Sequence, residues 1–248
     1  MTAPRAVVFD LGGTLVHWPD WEEAAPAKWS AAYDAVRAAG GAGWPEWPDR
    51  DRFVTSMRAA ERAHWARVDR EHWSGPPTGL VRDGFVRLGL SVPEGALVAT
   101  LDAYADAVAG WSTVFPDSRD TLVSLRDRGY RLGLLSNTWW AAQWHNADIA
   151  AHGLADLIDE LVYTSDLPHS KPHPSVFGAI SDRLGVDPTE CVMIGDRQID
   201  DVSGAKGVGM RGVWRRNDYG FPTSDVTPDA VVDHLSELPP LLRLWGGA

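Results

Sequence analysis

Five short apolar runs, set among segments of helical pattern, constrain this chain more than any other feature. They fall at residues 7–9, 130–135, 160–164, 191–194 and 211–214, and most are rich in β-branched or aromatic residues and too short for helices. Helical segments are expected before and between the later runs, at 117–128, after Thr138, at 174–184 and at 201–206. That alternation predicts βαβ units, hence an α/β fold built on a doubly wound parallel sheet. The first run, Val7-Val8-Phe9, is apolar throughout, as in a strand covered on both faces.

After Leu15 the texture changes. Residues 17–113 are dense in Ala, Arg and Trp and contain no convincing strand. Helices are expected over 20–39, stopped by Gly40-Gly41, over 51–73, stopped by Ser74-Gly75-Pro76-Pro77, and over 78–88 and 94–109. The chain therefore reads as a core of residues 1–16 and 114–248, with an all-helical domain of residues 17–113 inserted after the first strand.

Charge narrows the partners. With 23 Lys+Arg against 34 Asp+Glu, the formal net charge of −11 argues against nucleic acid and anionic membrane surfaces, which need a basic footprint. The single cysteine, Cys191, lies in an apolar run and reads as a core residue; no disulfide is expected, and a reducing compartment follows. With no apolar stretch of membrane-spanning length and no signal-peptide pattern, the expectation is a cytoplasmic protein. Nothing in the pattern sets an oligomeric state.

In a parallel sheet the carboxyl ends of the strands share one edge, where ligands bind. Four polar groupings converge there: Asp10, Ser136-Asn137, Ser170-Lys171, and Gly195-Asp196 with Asp200-Asp201. Taken alone, Asp10 is a nucleophile or metal ligand, or equally a turn residue or helix cap. Together the set suits phosphoryl chemistry. Two or three carboxylates can hold Mg2+, a hydroxyl and an ammonium can bind phosphoryl oxygens, and a carboxylate can itself be the nucleophile.

Asp10-Leu11-Gly12-Gly13-Thr14-Leu15, Leu135-Ser136-Asn137, Ser170-Lys171-Pro172 and Gly195-Asp196-Arg197-Gln198-Ile199-Asp200-Asp201 resemble the four ordered motifs of the haloacid dehalogenase superfamily. The helical insertion sits where that family places a small α-helical cap. The resemblance implies a hydrolase acting on a small phosphorylated metabolite. It implies Asp10 as nucleophile and metal ligand, Ser136 as phosphoryl donor with Asn137 beside it, and Lys171 as the steadying cation. Asp196 would bind Mg2+ directly, Gly12 would offer a backbone carbonyl, and Asp201 would be a ligand or support. The cap would open and close about hinges near 16–19 and 112–116.

One position departs from the phosphatase pattern. Those members carry a second Asp two residues after the nucleophile, which protonates the leaving oxygen; here it is Gly12. Dehalogenating members also lack that Asp, so a 2-haloacid dehalogenase using Asp10 is an alternative. Against it, the metal-binding Gly195-Asp196 is kept, and the first cap arginine, Arg37, lies well past the hinge. A non-catalytic member that binds a phospholigand or partner is the third reading, resting on Gly12 alone. His17 is the nearby residue whose side-chain type suits replacing the missing acid, while Asp20, Glu22 and Glu23 read as an acidic first helical turn.

Thirteen tryptophans remain. Trp18, Trp21 and Trp29 fall near helical spacing and read as cap core. Trp44 and Trp47 lie in a Gly/Pro loop and could be core, pocket or interface. Trp139 and Trp140 are expected to begin a helix near the active edge, one on the sheet and the other at the pocket wall. Pro172 breaks any helix through His169 and His173, which makes them loop residues rather than metal ligands.

Overall fold

A computed structural model describes residues 2–40 and 46–246. Trp44 and Gly41 lie outside the described residues. Six parallel strands form the central sheet: β1 (Ala6–Phe9), β4 (Arg131–Ser136), β5 (Glu160–Tyr163), β6 (Cys191–Gly195), β7 (Arg211–Arg215) and β8 (Ala230–Val232). Their order is β5-β4-β1-β6-β7-β8, so β1 lies between the neighbours that carry the second and fourth motifs. Phe9 pairs with both Leu134 and Ile194. Asp10 therefore leaves the sheet level with Leu135 and Gly195, and the motifs meet because of this register.

Both faces of the sheet are covered, which explains why β1 is apolar without alternation. Val7, Phe9, Leu132, Leu134 and Ile194 pack with Leu122 and Leu125 of α5 (Ser118–Asp127) and Leu238 and Leu242 of α9 (Leu238–Leu244). Val8, Leu135 and Met193 point the other way, onto Val176, Phe177, Ile180 and Leu184 of α7 (Pro174–Leu184). Cys191 belongs to this second face; burial pushes its thiol up to about 12, which leaves it an inert core group. The sequence pattern missed β8 and α9. Ala230-Val231-Val232 is only three residues long, and α9 opens on Leu-Pro-Pro, which reads as a breaker although proline is tolerated in a first helical turn.

Between β1 and β4 the chain forms α1 (Trp21–Ala39), α2 (Arg50–Glu71), α3 (Pro77–Arg87) and α4 (Glu94–Val108), near the expected limits. The two crossings into this cap are zipped together rather than loose: β2 (Val16–His17) pairs antiparallel with β3 (Thr113–Val114). His17 stacks on Phe115 at 5.0 Å beside this ribbon.

The cap has its own apolar core, and two of its members come from the sheet domain. Trp139 and Trp140 do not begin a helix. They form a bend after β4, and α6 (Ala142–Ala151) starts beyond them. Both are buried in the cap cluster with Trp29, Phe53, Met57 and Tyr104, so neither lies on the sheet or lines an open pocket wall. Trp139 lies parallel to Trp29 at 6.1 Å, and Trp140 meets Trp18 edge-on at 5.5 Å. Trp47 packs against Tyr33, Phe53 and Phe85, which makes it cap core.

A buried aromatic removes about 150–250 Å2 from water, worth roughly 4–6 kcal/mol by area. The Trp139–Trp140 plug is therefore a strong join between cap and core. Trp140→Ala is expected to lower the unfolding free energy by about 3–5 kcal/mol, measured by urea denaturation. The exposed Val86→Ala on the outer face of α3 should shift it by no more than about 0.5 kcal/mol.

Candidate active site

Two glycines make room for the site. Gly13, at φ +81°, turns the chain after Asp10, and a Cβ there would lie 2.2 Å from Asp196 Oδ2. A Cβ on Gly195 would lie 2.1 Å from Asp201 Cγ. Any side chain at either position would push a carboxylate away, so only glycine lets β1 and β6 deliver their acids into one volume.

The result is a buried charge cluster. One oxygen from each of Asp10, Asp196 and Asp201 lies within 4.8 Å of the others, the only such grouping of three acidic, His or Cys residues among the described residues. Lys171 reaches the cluster from the loop before α7 and is 2% exposed. Its ammonium donates to Asp10 Oδ1 at 2.6 Å, Asp201 Oδ1 at 2.7 Å and the Leu135 carbonyl at 2.9 Å. All three of its protons are used.

Burial raises Asp10 to about 6, with Lys171 opposing and Asp201 adding to the rise. Asp196 goes up to about 7 through burial and its neighbours Asp10 and Asp201. Burial alone would lower Lys171, but Asp10 and Asp201 more than offset it and hold the ammonium above its ordinary range.

The remaining lone pairs distinguish the acids. Asp201 is committed on both oxygens, since Oδ2 accepts from the Arg197 backbone N–H at 2.9 Å. Asp196 Oδ2 accepts from the Asn217 amide at 2.7 Å, while its Oδ1 is buried with no hydrogen-bond partner. A buried anionic oxygen without a donor is costly, and a divalent cation held by Asp10 and Asp196 would relieve that cost. The donor set is all oxygen, which suits Mg2+.

Asn137 braces the lysine. Its amide accepts from Lys171 N at 2.8 Å and donates to the Lys171 carbonyl at 3.1 Å, so both polar groups brace the lysine loop. His169 and His173 stack ring on ring at 3.7 Å in that loop. Arg37 is occupied on its own helix with the Tyr33 hydroxyl at 3.1 Å. His17 is in the hinge ribbon against Phe115.

Two residues that the sequence reading passed over complete the floor. Asn217, just after β7, joins Asp196 to the Gly13 carbonyl, to which it donates at 3.2 Å. Arg215, at the end of β7, donates to the same carbonyl at 2.7 Å and lies 3.9 Å over Phe115. The signal was their place at the end of the fifth predicted strand, where the other strand ends already carried polar groups.

Substitution of Lys171 tests how the cluster is held. The raised values mean that Asp10 and Asp196 stabilise the fold most below the ordinary carboxyl range and progressively less as pH rises through about 6 to 7. Lys171→Gln removes the cation that opposes the rise of Asp10, so Asp10 resists ionisation further. The variant is expected to lose about 3–5 kcal/mol near neutral pH in chelator. The deficit should shrink toward pH 5, where the acids take up protons; denaturant titrations at both pH values measure it.

The comparisons with known proteins agree with this geometry. A family model for haloacid dehalogenase-like hydrolases matches residues 4–209. A glyceraldehyde 3-phosphate phosphatase of Methanopyrus kandleri is 29% identical over 244 residues, 96% of this chain and 97% of that protein. A phosphoglycolate phosphatase of Pectobacterium atrosepticum is 26% identical over 246 residues, 98% of this chain and 94% of its own. The crystal structure of a HAD phosphatase from Thermococcus onnurineus superposes with a TM-score of 0.62 at 28% identity, covering 96% of this chain and 97% of that one. A 2-haloacid dehalogenase from Pseudomonas syringae shares the fold at a TM-score of 0.68 and 24% identity, over 98% and 99% of the two chains. With the motifs in order on one sheet edge and the family match spanning most of its length, the chain belongs to the haloacid dehalogenase-like hydrolases.

Proposed function

We propose that this hydrolase is a Mg2+-dependent phosphatase of small phosphorylated metabolites, with Asp10 as nucleophile. The observation that carries the proposal is the unpartnered, buried Asp196 oxygen within a carboxylate cluster steadied by Lys171. A site built only to fold would satisfy that oxygen; one that receives a metal and a phosphoryl group leaves it open. The phosphatase names of relatives that align over nearly the whole chain support the same reading.

In this proposal Asp10, Asp196 and the Gly12 carbonyl hold the metal, with Asp201 behind them fixing Lys171 and the Arg197 backbone. Bound Mg2+ would offset the charge on the phosphoryl oxygens and let an anion approach a carboxylate. Lys171 holds Asp10 by Oδ1, which leaves Oδ2 to attack phosphorus. The new O–P bond forms as the ester O–P bond breaks, giving an aspartyl-phosphate. Ser136 donates to the phosphoryl group during transfer. Water then cleaves the intermediate, releasing phosphate and restoring Asp10.

Protonation of the leaving oxygen is the weak step. A Cβ on Gly12 would meet Trp18 Cζ3 at 3.1 Å, so the indole covers the position from which the family's second Asp would act. General acids contribute about 10²–10⁴-fold, and poor leaving groups depend on them most.

A screen of phosphate esters graded by leaving-group pKa tests this reading. Activity should require Mg2+, vanish in Asp10→Asn, and fall steeply as the leaving group becomes more basic. Gly12→Asp should flatten that slope, with Trp18 shifting by a few tenths of an ångström. Metal-free chloride release from 2-chloropropionate, with phosphate esters untouched, would replace the phosphatase by a dehalogenase. Without turnover, the rise in melting temperature caused by Mg2+ should grow from about pH 5.5 to pH 8, because the metal competes with protons on Asp10 and Asp196.

A further inference from the structure

Among the described residues, the four motifs leave one cation near the site without a complete set of partners. Lys171 is saturated, and Arg215 is tied to the Gly13 carbonyl and Phe115. Arg197 is different. Its backbone N–H anchors it to Asp201, while its guanidinium makes a single side-chain hydrogen bond, from one terminal nitrogen to Asp200 Oδ2 at 3.2 Å. Its side chain is 33% exposed, against 2% for Lys171, which puts it at the mouth of the site rather than the floor.

The guanidinium is held by aromatic rings. It lies 4.1 Å over Phe221, on the loop after β7, and faces Trp65 of the cap helix α2 at 5.9 Å. That loop is tied to the metal-side acids, since Asn217 bonds Asp196 and the Tyr219 N–H bonds the Asn217 side chain at 3.0 Å. Arg197 is close enough to favour the ionised forms of Asp10 and Asp196. A planar cation restrained by ring contacts, with part of its fork open, matches a carboxylate in bidentate geometry. A phosphoryl group on Asp10 and Lys171 would place the next few substrate atoms toward this mouth. In a chain of formal net charge −11, a second substrate anion needs such a counter-charge.

We propose that Arg197, backed by Phe221 and Trp65, is the specificity-determining residue that binds a carboxylate of the substrate, so that the preferred substrates are small phosphorylated carboxylic acids. The assignment rests on the phosphatase reading and narrows it. If Arg197 served only to balance Asp200, its removal would affect acidic and neutral substrates alike.

The test compares kcat/KM for 2-phosphoglycolate with that for glycerol 3-phosphate in Mg2+, using wild type, Arg197→Ala and Phe221→Ala. The wild type should favour the carboxylate ester. In Arg197→Ala that preference should fall about tenfold or more, mainly through KM. Phe221→Ala removes an exposed ring and no charge, and should lower the preference in the same direction by less. Phosphonoacetate should raise the melting temperature of the Mg2+ form more than methylphosphonate, and Arg197→Ala should erase the difference. A wild type with no preference, or variants that keep the wild-type ratio, would overturn the assignment while leaving the phosphatase reading intact. Failure to hydrolyse any phosphate ester would overturn the phosphatase reading itself and the assignment with it.

Discussion

Three buried carboxylates held within 4.8 Å around one buried ammonium set the terms for the rest of the molecule. Like charges at this distance repel, and in a region shielded from water the cost is several kcal/mol per uncompensated ion. The fold meets it with position. Lys171 spends all its protons in the cluster, Asn137 clamps the lysine backbone, and Asn217 takes one oxygen of Asp196. Glycine at 13 and 195 is the steric condition for this arrangement. Among the described residues one buried oxygen of the cluster, Asp196 Oδ1, is left without a hydrogen-bond partner, and it is the opening that the proposed cation would fill.

The cap is bound to the core along a seam with unequal sides. On one side Trp139 and Trp140 are built into the cap's apolar core, and separating them would expose two of the largest buried side chains in the chain. On the other, the turn after α2 meets the lysine loop through backbone hydrogen bonds, Ser74 N–H to the Pro168 carbonyl at 3.1 Å and Ser170 N–H to the His72 carbonyl at 2.9 Å. Backbone bonds can be exchanged for water at modest net cost, whereas buried indoles cannot. The α2 side, where Trp65 and Arg197 face each other, is therefore the more weakly held side of the seam.

The sheet was readable because each interior strand is a run of core residues bounded by turn signals, and the motif acids sit at the ends of those runs. Asp10, Ser136 and Asp196 follow from that rule together with the parallel topology, and Lys171 from the loop between β5 and α7 on the same edge. What escaped has physical causes. Ala230-Val231-Val232 is an edge strand too short to show a period. The Trp139-Trp140 pair obeys no local pattern, because its partners Trp29 and Tyr104 lie far away in sequence. Asn217 and Arg215 are polar residues near a strand end with no motif around them, and their work is defined by Asp196 and Gly13, which only the folded chain brings near. The bracing of Lys171 by Asn137 was not visible either, because its two hydrogen bonds depend on a loop 34 residues further along the chain.

Gly12 looks different once Trp18 is seen above it. In the sequence it is a missing carboxylate, a loss at an otherwise complete site. In the structure the indole fills the space, held edge-on by Trp140 and close to His145, which burial pushes down to about 3 and keeps neutral. A deletion alone would leave a polar notch for water; here the notch is closed by an apolar ring joined to the plug that fixes the cap. In the proposed phosphatase the Gly12 position is thus covered by an indole and brings no carboxyl acid to the leaving oxygen, while Arg197 stands charged and part-exposed at the mouth. That asymmetry suits a substrate whose leaving group is recognised by charge at its far end, and whose departure relies on solvent for its proton.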